Sequence, residues 1–583
     1  MKPQHLSLKN RLIRLFQCAT IASAMLGGEA TASKHEPAAM APHVAVTAGD
    51  GHSDSVQRRG AATTEIRQRG AQARVAVATE HEAATHAALQ VLGRGGNAVD
   101  AAVAAALVMG VVGPTSSGLG GGGFALVWQA QDRAPKFLDF RECAPSALAM
   151  DALSRRPLPE AQRGLLVGVP GEPAGLFELQ SRYGRLAFAE VTSEAARLAE
   201  GGFVVGAHLA RMGNTSKASS AKLAILRALG FDQPGFGLGA RVRSPLLGQT
   251  LHRFGQLGPA ALLDGPNAED WVKVVADHGG VLALVDLRDY RPKYRVPLRF
   301  SYGRYEVITA PPPSAGGILL AQTLSTFPPA DFAQYRPPIE RIALLAAAYR
   351  ASLDDRKRTV GDPDFVPTNL DALLDPEYLA QRREAILNHS LKPAAIALPK
   401  EQGTTHISVV DADGNAVALT STVNNAFGAK ILGQTSGVVL NDELDDFGPT
   451  DSPNQPRPMA RPVSSMTPTI VLDGGRVRWV LGGSGGMAIS TNVTSVLIAL
   501  LVDGISPELA VAQPRFTISP TNGEIEVEQQ FPPSVARGLR ARGERVRRVP
   551  RGISAVQVVA ASNGNLDAAA DPRKFGRAAT ATL

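Results

Sequence analysis

Side chains able to do covalent chemistry concentrate late in this 583-residue chain, starting at Gly403-Thr404-Thr405-His406-Ile407-Ser408-Val409-Val410-Asp411. A charged stretch, Lys400-Glu401-Gln402-Gly403, ends abruptly in a β-branched run that opens with two hydroxyls. A hydroxyl becomes a nucleophile only when a base takes its proton, and threonine is common in strands, so the run alone says little. Its surroundings say more. Thr420-Ser421-Thr422-Val423-Asn424-Asn425 sets hydroxyls and amides at the end of a second strand. Leu440-Asn441-Asp442-Glu443-Leu444-Asp445-Asp446-Phe447 is an acidic cluster, and Arg461-Pro462-Val463-Ser464-Ser465-Met466 adds two hydroxyls. Gly482-Gly483-Ser484-Gly485-Gly486 is a glycine loop with free backbone N–H groups.

Other arrangements lead nowhere. The glycines of residues 118–123 follow an apolar helical pattern and precede a strand, the reverse of the strand–loop–helix order of dinucleotide and phosphate loops; they read as sites of close backbone packing. His81 and His86 are five apart, so on a helix their rings diverge by roughly 140° and share no metal. Cys143 reads as a small buried residue. No Gly-x-Ser-x-Gly elbow is present.

The elements that must position these groups follow from periodicity. Val75-Ala76-Val77-Ala78 reads as a buried strand, and residues 86–112 as two Ala-rich helices broken at Gly93, Gly95, Gly96 and Asn97. The second is apolar on every side and must be buried. Helices fit 172–182, 186–200, 338–355 and 376–387, and strands fit 124–128, 305–309, 405–411, 415–420, 436–441, 468–472 and 477–482. Ala412-Asp413-Gly414 joins two of these strands as a hairpin turn. Mixed helices and late strand hairpins point to a layered α+β or αββα architecture.

Composition sets the outer limits. Hydrophobic residues make up 44%, so the chain can bury a large core. The net charge is +7, but residues 1–72 hold nine basic and five acidic side chains, which leaves +3 on the body and no case for nucleic acid as a partner. No apolar run reaches the roughly 18–20 residues of a membrane span. Residues 1–14 are basic, 15–26 form a short apolar run, and Ala30-Thr31-Ala32 has small residues at signal-peptidase spacing. Residues 1–32 therefore read as a signal peptide cut after Ala32, residues 33–72 as a disordered linker, and the product as periplasmic or secreted. Of the two cysteines only Cys143 would remain, so no intrachain disulfide is expected.

Taken with Gly95-Gly96-Asn97-Ala98-Val99-Asp100-Ala101-Ala102, Asp139-Phe140-Arg141-Glu142, Gly168-Val169-Pro170-Gly171, Pro311-Pro312-Pro313-Ser314, Gly361-Asp362-Pro363-Asp364 and Asp571-Pro572-Arg573, the chain from Arg74 onward resembles the γ-glutamyltranspeptidases. These are N-terminal-nucleophile hydrolases. The resemblance implies a four-layer αββα sandwich built jointly by two chains of one precursor, cut between Gly403 and Thr404: a large subunit, 73–403, and a small one, 404–583, held as a heterodimer. It implies Thr404 as nucleophile, Thr422 as the hydroxyl that orients it, and Gly485 and Gly486 as the oxyanion hole. Arg141, Ser464 and Ser465 match groups that hold the substrate α-carboxylate, and Asn424, Glu443 and Asp446 match those that grip its α-ammonium. The implied substrates are glutathione and other γ-glutamyl amides, with water or an amino acid or dipeptide as acceptor and no metal or cofactor. The chemistry is sound on its own terms. A chain-terminal threonine carries its own base, an α-amine of pKa about 7.7–8.0.

The chain departs from the family pattern in three places. The glycine loop lacks the usual proline, with Ser484 in its place. Residues 447–463 form a short loop of seventeen residues with five prolines and no tyrosine, so an open cleft that admits bulky acyl groups and water is expected. The wording before Asp354-Asp355-Arg356 is also unusual, with only packing consequences expected. Two other readings compete: a glutaryl-cephalosporin acylase-like amidase on the same fold, and a secreted binding homologue without activity.

Overall fold

The computed structural model describes residues 74–214, 218–335, 338–390, 403–550, 552–562 and 564–583. The signal peptide and linker expected over 1–72 lie outside the described residues, as do Lys400, Glu401 and Gln402.

Two mixed-length antiparallel sheets face one another. In the first, seven strands run in the order Arg577–Ala581, Val75–Thr79, Gly403–Val410, Ala416–Asn424, Gly122–Gln129, Ala134–Asp139 and Lys293–Arg295. In the second, six strands run Asn565–Ala569, Ala555–Ser562, Arg476–Ser484, Thr469–Asp473, Tyr305–Thr309 and Leu298–Tyr302. The period-2 alternation of each central strand divides its side chains between two cores. Val75, Val77, Ile407, Val409, Val417 and Leu419 face the helices Glu82–Gly93, Ala98–Val112 and Phe188–Gly201. Ala76, Ala78, Leu126, Ala416 and Ala418 face the second sheet, where Ile308, Ile470, Val480 and Val559 meet them. Helices Gly316–Thr326, Pro338–Thr359 and Ala488–Leu501 cover the far side. The result is helix, sheet, sheet, helix. Each buried Val or Leu contributes about 1.5–3 kcal/mol to holding the layers together.

The all-apolar helix Ala98–Val112 is buried as its composition requires. It starts at a capping box: Asn97 Oδ1 accepts from the Val99 and Asp100 amides, and Asp100 Oδ2 accepts from the Asn97 amide at 3.0 Å. Asp411 fastens that start to the central hairpin, because its Oδ2 accepts from both the Ala98 amide and Asn415 Nδ2. Most expected elements are present with boundaries shifted by a few residues. The strand expected over 436–441 shrinks to Val439–Leu440, since glycine at 437 interrupts it. The Pro338–Thr359 helix runs four residues past its expected end and so carries Arg356 on its last turn.

Candidate active site

Thr404 sits one residue into the Gly403–Val410 strand, buried at 2% exposure. It shares its strand face with His406 and Val410, so its side chain points between the sheets, toward the strand that ends in Ser484. Opposite it, in register, lies Thr422. The Thr422 hydroxyl donates to the Gly403 carbonyl at 2.5 Å and accepts from the Asn424 amide at 2.8 Å. The Gly403 carbonyl is therefore polarised by a hydroxyl whose own orientation is fixed. Gly403 itself has no room for a side chain: a Cβ would lie 2.7 Å from the Thr115 carbonyl oxygen and 2.8 Å from that of Asn424. On the other edge, Lys574 Nζ donates to the Thr404 carbonyl at 2.5 Å and pairs with Glu80 at 2.9 Å. Burial raises the Glu80 carboxyl despite Lys574, and the Thr405 and Ser484 hydroxyls beside it oppose the rise.

The expected amino-acid pocket is assembled around Arg141, whose side chain is fully buried. Its guanidinium spans Glu443 at 2.6 Å and Asp446 at 2.6 Å, and its Nε donates to the Pro462 carbonyl at 2.7 Å. The groups expected to hold the two ends of an amino acid thus meet each other directly. Asn441 turns the chain into the acidic cluster: its Oδ1 accepts from the amides of Gly168 and Glu443. Asn424 adopts a left-handed φ of 69°, at an irregularity in the strand pairing, and its Nδ2 donates to the Asp442 carbonyl. A non-glycine residue in that region marks a site where the fold holds a strained backbone. Asn424 Oδ1 is buried without a hydrogen-bond partner.

Ser464 and Ser465 are set by the triple proline. The Ser464 amide donates to the Pro313 carbonyl at 2.9 Å, and Ser314 Oγ donates to the Met466 carbonyl at 2.6 Å. Ser465 Oγ lies 3.1 Å from Met487 Sδ, which joins the serine pair to the glycine loop. Gly485 and Gly486, both at positive φ, occupy the turn between the Arg476–Ser484 strand and the Ala488–Leu501 helix. Backbone N–H groups at such a turn favour negative charge.

Several contributing residues have no motif that announces them. Arg356 is the clearest. Its guanidinium donates to Ser465 Oγ, to Met487 Sδ at 2.9 Å and to the Val463 carbonyl at 3.3 Å. The extra helical turn brings this cation to the serine pair. Arg156 donates to the carbonyls of Leu444, Asp445 and Phe447, and so pins the acidic cluster. Asn454, in the proline-rich loop, donates to the Asp446 carbonyl at 2.7 Å and accepts from the Val463 amide at 2.9 Å. These side chains lie far apart in sequence or inside irregular loops, where periodicity carries no signal.

Burial shapes the acids. It pushes Glu142, next to Arg141, up to about 7, and Asp442 up to about 6, and it raises Glu172, which accepts from Ser421 Oγ, well above the usual carboxylate range. His406, between Thr420 and Ser408, is lowered to about 3 by burial, so it is neutral and serves the core. Cys143 is buried and pushed up to about 12. His81 caps a helix by accepting from the Ala83 amide. The early glycines act as packing positions, since a Cβ on Gly121 would lie 2.0 Å from the Thr422 carbonyl oxygen.

A family model described as Gamma-glutamyltranspeptidase matches residues 84–581. The chain belongs to that family. Among curated relatives, Glutathione hydrolase 2 of Arabidopsis thaliana is 33% identical over 547 residues, 86% of this chain and 93% of the relative. The Glutathione hydrolase proenzyme of Escherichia coli (strain K12) is 32% identical over 532 residues, covering 85% and 90%. Among solved structures, the cephalosporin acylase from Bacillus halodurans superposes with a TM-score of 0.78 at 25% identity, over 90% of this chain and 99% of that one. The αββα sandwich of the N-terminal-nucleophile hydrolases is thus the fold of this γ-glutamyltranspeptidase family member, as its sequence implied.

Proposed function

We propose that this protein is an exported, self-cleaving γ-glutamyl hydrolase and transferase. The Gly403–Thr404 peptide breaks first. Thr404 Oγ attacks the Gly403 carbonyl carbon, the Thr404 nitrogen leaves with a proton, and the resulting ester is opened by water to a Gly403 carboxylate and a free Thr404 hydroxyl. Thr422, at 2.5 Å from the oxygen of that carbonyl, is the donor that supports the charge. The new α-amine then takes the Thr404 Oγ proton during attack on a γ-glutamyl amide. Gly485 and Gly486 stabilise the oxyanion, and removal of one such donor typically costs roughly 2.7–4 kcal/mol. The departing amine receives the proton, and a γ-glutamyl ester remains on Thr404. Water, or the amine of an amino acid or dipeptide, takes the acyl group.

The observation that carries this reading is a buried threonine at a glycine junction, linked through Thr422, Asn424 and the Asp442 carbonyl to the segment whose Glu443 and Asp446 pair with buried Arg141. A guanidinium fork matches a carboxylate, and the two acids match an ammonium, so a free amino acid end can replace these contacts partner for partner. Glutathione, which presents such an end on its γ-glutamyl group, is the donor this chemistry selects. The relatives named glutathione hydrolase support it. An acylase-like amidase is the second reading, favoured by the cephalosporin acylase superposition; its acyl groups lack the α-ammonium that Glu443 and Asp446 suit. Export with removal of residues 1–32, and a heterodimer of 73–403 with 404–583, complete the proposal.

The test is a substrate panel of glutathione, γ-glutamyl anilide and glutaryl-cephalosporin, with and without glycylglycine. Faster turnover of the two γ-glutamyl donors supports the reading. Preference for the glutaryl amide by tenfold or more in kcat/KM, on the order of 1.4 kcal/mol, would replace it with the acylase.

A further inference from the structure

The neighbouring strand does not cover the edge of Gly403–Val410 at its start. Its ladder with Val75–Thr79 closes with Ala78 opposite Ser408, so Thr404 lies beyond the end of that pairing. In an extended strand the N–H and C=O of one residue point to the same edge, and successive residues alternate. The Asp411 amide bonds across the hairpin to the Asn415 carbonyl, so the even-numbered residues of this strand turn the other way. Thr404 conforms: its carbonyl faces the uncovered edge, where Lys574 Nζ donates to it at 2.5 Å. Its nitrogen faces that edge too, and scission at Gly403 frees the α-amine beside Lys574. The Asp571-Pro572-Arg573 run puts Lys574 there. Arg573 pairs with Glu528 at 2.6 Å, its amide donates to Asp571 Oδ1, and Asp571 is anchored by Arg515. Gly576 lets this loop press on the neighbouring strand, since a Cβ would lie 2.5 Å from the Thr79 carbonyl oxygen. Glu80, buried just after that strand, pairs with Lys574 Nζ at 2.9 Å. A cavity of about 610 Å³ borders the pair.

We propose that Lys574 is a positioning residue for the nucleophile's own base: bound to the Thr404 carbonyl and held by Glu80, its ammonium keeps the adjacent α-amine in the neutral form that accepts the Oγ proton. A like charge a few ångströms away disfavours a second ammonium. Glu80 opposes this as a counter-charge, weakened because burial raises its carboxyl. The histidines near this edge are neutral at pH 7: burial lowers His81, takes His208 to about 3, and takes His406, on the same strand as Thr404, to about 3. Arg211, exposed beside His208, adds positive charge. Thr422 on the paired strand and Ser484 on the facing sheet carry none. Farther back, Glu172 behind Ser421 is raised well above the usual carboxylate range, and Asp442 behind Asn424 to about 6. This assignment rests on Thr404 being released as nucleophile and base, as proposed above.

The test reads the amine itself, because Glu142 and Asp442 titrate in the same range and would blur a pH–rate profile alone. Processed protein is acylated with acetic anhydride from roughly pH 5 to 9 against a reference amine, and the peptide that starts at Thr404 is quantified by mass spectrometry. In the parent the labelling midpoint should lie about one unit or more below the ordinary 7.7–8.0 of an α-amine. Lys574→Met should raise it by about one unit or more, and the acidic limb of kcat/KM for γ-glutamyl anilide should rise with it. Lys574→Arg keeps the charge and should leave both within about 0.3 unit of the parent. The double variant Lys574→Met, Glu80→Gln strands no buried carboxyl and should still lie about half a unit or more above the parent. A parent midpoint at or above about 8 overturns the role of Lys574 and leaves the nucleophile intact. So does a midpoint that stays at the parent's value in either methionine variant, whatever happens to kcat or stability. Active parent protein with no chain starting at Thr404 overturns both.

Discussion

Replacing Arg141 by methionine separates the structural from the functional part of the pocket. The side chain is buried, and its two carboxylate partners, Glu443 and Asp446, are buried with it at 2.6 Å each. Removing one partner of a buried ion pair strands the other charge and costs about 3–5 kcal/mol. Here two carboxylates would be left facing each other. Arg141→Met should therefore lower the unfolding free energy by about 3–5 kcal/mol. The triple variant Arg141→Met, Glu443→Gln, Asp446→Asn removes the stranded charges and should recover most of that loss, because neutral, well-packed replacements of a buried ionic cluster are often no less stable. Activity should not recover. A charge-assisted hydrogen bond contributes about 1.5–3 kcal/mol, so kcat/KM for γ-glutamyl anilide should fall by about tenfold to a hundredfold or more in both variants, chiefly through KM. Urea unfolding followed by tryptophan fluorescence and steady-state kinetics on the same preparations measure the two effects. A single variant as stable as its parent, or a triple variant with no recovery, would refute the description of this cluster. An unchanged KM would remove Arg141 from substrate binding.

Two further outcomes follow from local geometry. Gly403→Ala forces a Cβ to within 3.0 Å of three backbone carbonyl oxygens, so self-cleavage should slow by about tenfold or more on a denaturing gel time course, since misplacement of about 1 Å at a reacting centre costs up to about 10²-fold; unimpaired cleavage would show the junction to be less confined. Glu142, held at about 7 by burial against an unfolded value near 4.5, binds its proton more tightly when folded, so its contribution favours folding at low pH and is lost as pH rises from about 4.5 through 7. Glu142→Gln should flatten that part of the stability profile and raise the melting temperature at pH 8 relative to parent, and a Glu142→Gln profile parallel to the parent's would contradict it.

Much of the site could be read from residue type and order. Thr404, Thr422 and the glycine loop occupy strand ends, where period-2 patterning is clear, and the structure brings them to facing sheets. The motifs without evident chemistry proved to be supports: Asp362 accepts from the Arg461 amide, Asp571 pairs with Arg515 and accepts from the Val556 amide, and the triple proline aligns Ser464. Arg356, Arg156 and Asn454 were not legible. Each acts by reaching backbone carbonyls or a hydroxyl in a distant loop, and such contacts depend on tertiary placement that no local pattern encodes. The mutual pairing of Arg141 with Glu443 and Asp446 also could not be foreseen, because the family resemblance implies a substrate end for each without showing that the three share one buried cluster.

Intact-mass and N-terminal analysis of catalytically competent protein bears most directly on the proposed nucleophile. The expected result is a chain that starts at Thr404 and ends at Leu583, with its appearance and all turnover lost together in Thr404→Ala. Full γ-glutamyl hydrolase activity from molecules in which residues 403 and 404 remain joined would contradict it.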